Sequence, residues 1–125
     1  NVAHFSDGFT NKVNTFNTPA ATFDCNCENG RYVRITNPSS NMTMNLTNID
    51  LTNGRATDIH LIIENGNPAY KVTALQIAGV GQTVLTEVSG SAGVNHTHYT
   101  IFRIFRTGNG ATDYKILEIH DRSYA

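Results

Sequence analysis

The histidines His96 and His98 have the spacing in this chain that best fits a metal site. In an extended segment, residues two apart point to the same face, so both imidazoles lie side by side. Three such pairs around a threefold axis supply six nitrogens, which suits one octahedral metal ion. The sequence holds one copy of the pattern, at the start of a predicted strand. Ordinary surface histidine is the favoured interpretation, and metal binding in an oligomer stays open.

The two cysteines, Cys25 and Cys27, form a second close pair. A structural zinc site needs four ligands, and the sequence has no second cysteine pair. Two cysteines that point the same way from one strand can form only a strained disulfide. We therefore predict two reduced thiols packed in the core, and no metal-ligating or cofactor-binding residue.

The active site of a hydrolytic enzyme commonly needs a nucleophile beside a base, or a pair of carboxylates. The acidic candidates stand singly in the sequence, and no motif surrounds the histidines. No nucleophile elbow, phosphate-binding loop or zinc-protease helix is recognisable. The sequence thus predicts no catalytic residue and no enzyme. The residues considered are Asp24, Asp58, Asp113, Glu118, Asp121, His4, His60, His96, His98 and His120.

The tyrosines give a weaker basis for a sugar-binding module, a function that β-sandwiches often serve. Such modules commonly stack sugar rings on exposed aromatic side chains, but this chain has no Trp. The tyrosines mostly fall within strand patterns, which favours core or interface positions. They are Tyr32, Tyr70, Tyr99, Tyr114 and Tyr124.

Charge and length exclude several classes of partner. Nine basic residues balance ten acidic ones without a basic run, which argues against nucleic acid. No apolar run approaches the ~18 residues of a membrane span, so we predict no membrane contact. The 125 residues suit a single domain. Asn and Thr make up about a quarter of the chain, a composition typical of β-rich extracellular or virion proteins.

Short runs bounded by Asn, Gly, Pro or Ser predict about eight strands. In one of them, Met42, Met44 and Leu46 alternate with polar residues, which puts one face on a core and the other in water. Regularly spaced strands without helices predict an all-β antiparallel β-sandwich, jelly-roll-like. The runs are residues 21–27, 31–36, 42–47, 56–63, 71–77, 82–84, 99–106 and 114–120.

We predict an N-terminal arm at residues 1–20 and one sandwich domain at residues 21–125. The arm lacks clean alternation but carries three phenylalanines, which suggests that it docks on the domain or on a neighbouring subunit. Ile62, on the second face of its strand, and the two-sided apolar run 99–105 exceed what one small core consumes. We therefore expect the surplus to be buried between subunits, most simply in a homotrimer.

Several pieces of the core runs share one pattern: Phe23–Cys25, Gly30–Thr36, Met42–Asn48, Ala56, Ala69–Ile77 and Gly79–Val84. They resemble a β-domain that recurs in structural proteins of tailed phages, cyanophages especially. The resemblance covers about two thirds of the chain and implies a non-enzymatic virion part, such as a tail fibre, a baseplate or a capsid decoration. It implies other virion proteins as partners and assembly in the host cytoplasm. A receptor- or glycan-binding module, with a host surface glycan as partner, is the alternative.

Overall fold

The computed structural model describes residues 10–86 and 90–125, and within these ranges the protein is all-β with two sheets. One 3-10 turn, Cys27–Asn29, interrupts the strands. The predicted all-β class is therefore confirmed. The strands are β1 Val13–Asn17, β2 Thr22–Asn26, β3 Tyr32–Thr36, β4 Met42–Thr47, β5 Ala56–Glu64, β6 Val72–Ile77, β7 Val80–Gln82, β8 Val84–Thr86, β9 Thr97–Arg106 and β10 Tyr114–Tyr124.

The first six strands alternate between the two sheets. A six-stranded sheet has the order β1-β3-β5-β9-β10-β8, and a four-stranded sheet has the order β2-β4-β6-β7. Because each strand is followed by one in the other sheet, β1, β3 and β5 pair in parallel, as do β2, β4 and β6. The chain thus winds through three turns of a two-sheeted coil.

Within the described residues, antiparallel pairing involves the strands that follow β6 in the chain. β9 runs antiparallel to β5 and β10, and β7 turns back on β6 through Ala78 and Gly79, which both have positive φ. β8 pairs in parallel with β10. Both sheets are therefore mixed, and the predicted antiparallel jelly roll is not confirmed. Alternation of side chains reports which face a strand buries, but not the direction of its neighbour.

The pair Asn29-Gly30 lies between β2 and β3, which belong to different sheets, although Asn-Gly is a common pair in hairpin turns. Gly30 has a φ of 126°, and a Cβ atom there would lie 2.4 Å from the carbonyl oxygen of Lys12. Glycine is needed at this position because the backbone before β1 passes directly against it. The same sequence pair therefore serves close packing between turns of the coil rather than a hairpin.

The hydrophobic core lies between the two sheets and follows the predicted alternation. Met42, Met44 and Leu46 are buried, whereas the residues between them are half-buried. Two residues of the long connection between β4 and β5, Ile49 and Leu51, also enter the core. The remaining core residues are Phe23, Cys25, Cys27, Val33, Ile35, Ile59, Leu61, Ile63, Val72, Leu75, Ile77, Phe102, Ile104 and Ile116.

Part of the predicted arm belongs to the six-stranded sheet. β1, at Val13–Asn17, pairs with β3 along its whole length. The ring of Phe16 packs 4.9 Å from that of Phe23, between ring centroids. Residues 13–17 thus contribute to the sheet and its packing. The predicted arm also includes Phe5 and Phe9, which fall in residues 1–9, outside the described residues.

The last strand is longer than predicted and contains a β-bulge. β10 continues to Tyr124, and its register with β9 shifts between Glu118 and His120. The extra residue, Ile119, reverses the alternation beyond it. Glu118 and Asp121, three apart, therefore point to the same side of the sheet, which regular alternation forbids.

Candidate interaction site

The outer face of the six-stranded sheet collects side chains that the sequence pattern leaves outside the core. On β3, β5 and β9 every second residue points outward, away from the buried set. The register places Tyr32 beside His60, His60 beside Ile101, and Ile101 beside His120. Four neighbouring strands thus contribute rings and aliphatic groups to one continuous surface.

Five aromatic and imidazole rings form a row across this surface, here called the ring row. Tyr32 and His60 stack in parallel planes with ring centroids 4.4 Å apart. The centroid distances are 6.0 Å from His60 to Tyr99 and 5.0 Å from Tyr99 to His120. Tyr124 ends the row at 6.2 Å from His120. The row spans β3, β5, β9 and β10.

Hydrogen bonds tie the polar atoms of the ring row to one another. His60 Nδ1 lies 2.6 Å from the Tyr99 hydroxyl, and His120 Nε2 lies 3.1 Å from the Tyr124 hydroxyl. Burial raises the pKa of the Tyr99 hydroxyl, and the hydroxyls of Tyr32 and Tyr124 raise it further. Tyr99 therefore stays neutral at physiological pH and acts as a hydrogen-bonding group rather than as a nucleophile.

The orientation of the rings affects what they can bind. Tyr32 and His60 stack on each other, so each ring has one face covered by the other. A sugar that stacks on an aromatic side chain needs a free ring face. Aromatic and aliphatic groups that lie together on one face are suited to packing against another protein surface.

A groove of about 150 Å³ lies at the β1 end of the ring row. Its walls are almost entirely apolar, with the exposed Val13 at the margin. Sugar hydroxyls would find few hydrogen-bond partners there, whereas an apolar side chain would leave no polar group unpaired. The lining residues are Val13, Tyr32, Val33, His60, Ile62 and Tyr99.

Two ion pairs on this face are internally complete. Arg34 bonds Glu64 through two nitrogen–oxygen contacts of 2.6 and 2.9 Å. Arg103 bonds Asp58 in the same way, at 2.8 and 2.9 Å. The hydrogen bonds from the arginines hold the pKa of each carboxyl group below its usual range. These four charges cancel within the face, which lowers the cost of covering it with another surface.

Comparisons with protein-family models, curated proteins and solved structures found no match to this chain. The resemblance to the phage β-domain therefore rests on the sequence pattern alone.

The predicted histidine pair is split between two environments. His98 is fully buried and hydrogen-bonds Asp121 through Nε2, whereas His96 is half-buried at the turn before β9. A threefold metal site needs both rings at a subunit surface, and His98 does not lie there. Within residues 10–86 and 90–125, no group of three or more His, Cys, Asp or Glu side chains is placed to hold a metal ion.

Asp121 is the centre of a buried polar cluster that the sequence does not reveal. Its carboxylate accepts hydrogen bonds from His98 and from the Gly90 backbone amide, and Lys71 Nζ lies 2.8 Å away. Lys71 also donates to the Gly90 carbonyl at 2.7 Å. A Cβ atom on Gly90 would lie 2.4 Å from the Asp121 carbonyl oxygen, so glycine permits this close approach. The cluster joins Lys71, the residue before β6, to β9, β10 and the segment before β9.

Glu118 is the second acid of this cluster, brought there by the bulge in β10. Burial raises the pKa of Glu118 to about 7, and its hydrogen bond with Asp121 adds to the shift. Burial alone would raise the pKa of Asp121 too, but hydrogen bonds from Lys71 and His98 hold it at about 2. One acid is thus ionised and the other holds its proton up to near-neutral pH. The sequence pattern treated these two carboxylates as separate.

Both cysteines lie in the core as predicted, and neither forms a disulfide in this structure. The Asn14 side chain donates to the sulfur of Cys25 at 3.7 Å. The hydrogen bond with Cys27, together with burial, holds the pKa of the Cys25 thiol above its usual range. Cys25 is therefore a packed thiol with little thiolate character, which makes it a poor nucleophile.

The tyrosines divide between core and surface. Tyr70, just before β6, and Tyr114 on β10 pack against the core, whereas Tyr32, Tyr99 and Tyr124 lie in the ring row. Only the register of the strands shows that the rings of the row are neighbours.

In the part of the chain that the structure describes, no helix is long and apolar enough to cross a bilayer.

Proposed function

We propose that this chain is a non-enzymatic structural protein that works through contacts between copies of itself. The observation that carries the proposal is the outer face of the six-stranded sheet, where apolar and aromatic groups lie beside charges that are paired within the face. Exposed apolar surfaces of this kind mark protein contacts in soluble proteins. The resemblance to phage β-domains supports a place in a virion, as part of a tail fibre, a baseplate or a capsid decoration.

A trimer is the proposed form, with other virion proteins as further partners. Light scattering on the purified chain tests the proposal, and we expect the mass of three copies at tens of micromolar. A monomer at that concentration would overturn the proposal. A stable dimer would keep subunit contacts as the mechanism and overturn the trimer.

The alternative function, glycan binding, is favoured by the opposite face of the molecule. The outer face of the four-stranded sheet carries hydroxyl and amide side chains in register, such as Thr43 beside Thr22 and Asn45 beside Gln76. Groups of this type hydrogen-bond sugar hydroxyls. Calorimetry with a host surface glycan separates the two functions, because binding that the variant Gln76→Ala weakens would support the alternative.

A further inference from the structure

The groove at the β1 end of the ring row has the size of one aromatic ring. A cavity of about 150 Å³ with apolar walls accepts a molecule as large as benzene. The groove opens on the outer face, between Val13 on β1 and Tyr99 on β9. An apolar ring that enters it would lie against Ile62 and the Tyr32 side chain.

A matching ring stands on the same face, at the opposite end of β9. Phe105 is 38% exposed, and its neighbour across the sheet on β5 is the small residue Ala56. Six residues separate Phe105 from Tyr99, which amounts to about 20 Å along the strand. Phe105 therefore cannot fill the groove of its own chain.

On β5 and β9, the charges between the ring and the groove are paired. Arg103 and Asp58 lie there and bond each other through two contacts. Pairing of this kind avoids the large cost of an uncompensated buried charge. On β10, Lys115 is the exposed neighbour of Phe105, and its long side chain can keep its charge in water while the ring is covered. The face thus carries an exposed ring, a ring-sized groove and an ion-paired strip between them, so one copy of the chain can supply the ring and a second copy the groove.

We propose that Phe105 of one copy inserts into the groove formed by Val13, Tyr32, Ile62 and Tyr99 of a neighbouring copy. The inference rests on the proposed self-association and names the contact that carries it. In a twofold dimer, each copy would insert its Phe105 into the groove of the other. In a cyclic trimer, each copy would insert its Phe105 into the groove of the next copy. In both arrangements the phenylalanine is a central apolar anchor, the type of residue on which binding energy concentrates.

Sedimentation equilibrium on the full chain and two variants tests the contact. Phe105→Ala removes the projecting ring, and we expect it to weaken association at least about tenfold. Val80→Ala is the matched control, because Val80 is comparably exposed but lies on the four-stranded sheet. We expect it to change the dissociation constant less than about twofold. Circular dichroism verifies that each variant is folded.

A cysteine pair gives a second measurement. The chain with Val13→Cys and the chain with Lys115→Cys are mixed and oxidised, and we expect a disulfide between copies. Lys115 is the exposed neighbour of Phe105 on β10, so this variant keeps the phenylalanine ring. Within one chain these positions are four strands apart and offset along the sheet, well beyond the ~6 Å between Cα atoms that a disulfide bridges. The wild-type chain, whose two cysteines are buried, is the control.

The outcomes separate the inference from the proposed function. A wild-type chain that stays monomeric overturns both. If the wild-type chain is an oligomer, two results would overturn the groove contact and leave self-association standing. One is an unchanged dissociation constant in Phe105→Ala, and the other is the absence of a disulfide between the mixed cysteine variants. Weakened association together with the disulfide supports both.

Discussion

At the scale of single residues, Asp121 shows how a carboxylate is accommodated in the interior. The residue is 5% exposed, and three groups from other segments bond its two oxygens. A buried ionised carboxylate without such partners would cost more than the domain's stability allows. The cluster around Asp121 therefore stabilises one arrangement of β6, β9 and β10.

Replacing Asp121 with Asn tests this role. Asn keeps the shape of the side chain but removes the charge opposite Lys71, so we expect a loss of about 3 kcal/mol in the free energy of unfolding. Urea denaturation followed by circular dichroism measures it. The control is Glu64→Gln, which breaks an exposed ion pair and should cost within about 1 kcal/mol. Equal losses in the two variants would contradict the structural role of Asp121.

Glu118 makes the stability of the fold depend on pH. Its pKa is about 7 in the folded protein, against an ordinary value of 4.5, so the folded state holds a proton that the unfolded chain has already released between these values. Stability therefore falls as pH rises from 4.5 to 7. Asp121 has the opposite effect at acidic pH. Because its pKa in the folded protein is lowered from 3.8 to about 2, stability falls as pH drops from 3.8 towards 2.

The urea midpoint, measured between pH 4.5 and 7.5, tests the contribution of Glu118. We expect a decline across this range in the wild-type chain and a flatter profile in Glu118→Gln, which cannot ionise. Asp113→Asn is the control, because Asp113 is exposed at a turn and lies outside the cluster. An unchanged slope in Glu118→Gln would show that other groups cause the decline.

At the scale of secondary-structure elements, β1 is an edge strand of the six-stranded sheet. Its inward residues, Asn14 and Phe16, contact the core, whereas its outward residues face solvent. It also pairs with β3, whose neighbour on the other side is β5. A segment in this position stabilises the sheet in a way that an arm lying on another subunit would not.

Phe16→Ala and Thr15→Ala test whether the first strand packs on the core of its own chain. We expect the Phe16 variant to lose about 2 kcal/mol in the free energy of unfolding, because a half-buried ring leaves a smaller cavity than a fully buried one. Thr15 points outward, so its variant should stay within about 0.5 kcal/mol of wild type. Thermal melts compare the two. A Phe16→Ala protein as stable as wild type would mean that β1 contributes no packing.

At the scale of the whole molecule, one core joins the two sheets. Cys25 and Ile35 come from different sheets and are both fully buried in the same cluster. A reagent reaches such residues only when the two layers separate. The buried thiols thus report on global opening of the molecule.

Alkylation without reductant, followed by mass spectrometry, measures this opening. We expect no label on Cys25 or Cys27 in native buffer and two labels in denaturant. The physical reasons are their burial and the high pKa of the Cys25 thiol. No label after denaturation would reveal a disulfide or another modification, and rapid labelling in native buffer would contradict the buried placement.

Local pattern was sufficient to predict the buried face where apolar and polar residues alternate. Met42, Met44 and Leu46 alternate with polar residues, and the structure buries these three. On β9 both faces are apolar in the sequence, and only the structure shows that Phe102 and Ile104 face the core. Alternation succeeds because a strand turns successive side chains to opposite sides whatever its neighbours are. The all-β class and the core placement of both cysteines follow from that one periodicity.

Pairing direction, register and the bulge depend on contacts between distant segments, and only the tertiary structure decided them. The pattern of β1 to β6 suits an antiparallel sheet as well as a parallel coil, since both bury every second residue. Ile119 shifts the alternation by one residue, and no turn signal in the sequence marks that shift. Because the ring row depends on register and the Glu118–Asp121 pair on the bulge, neither site could be assembled from local pattern alone.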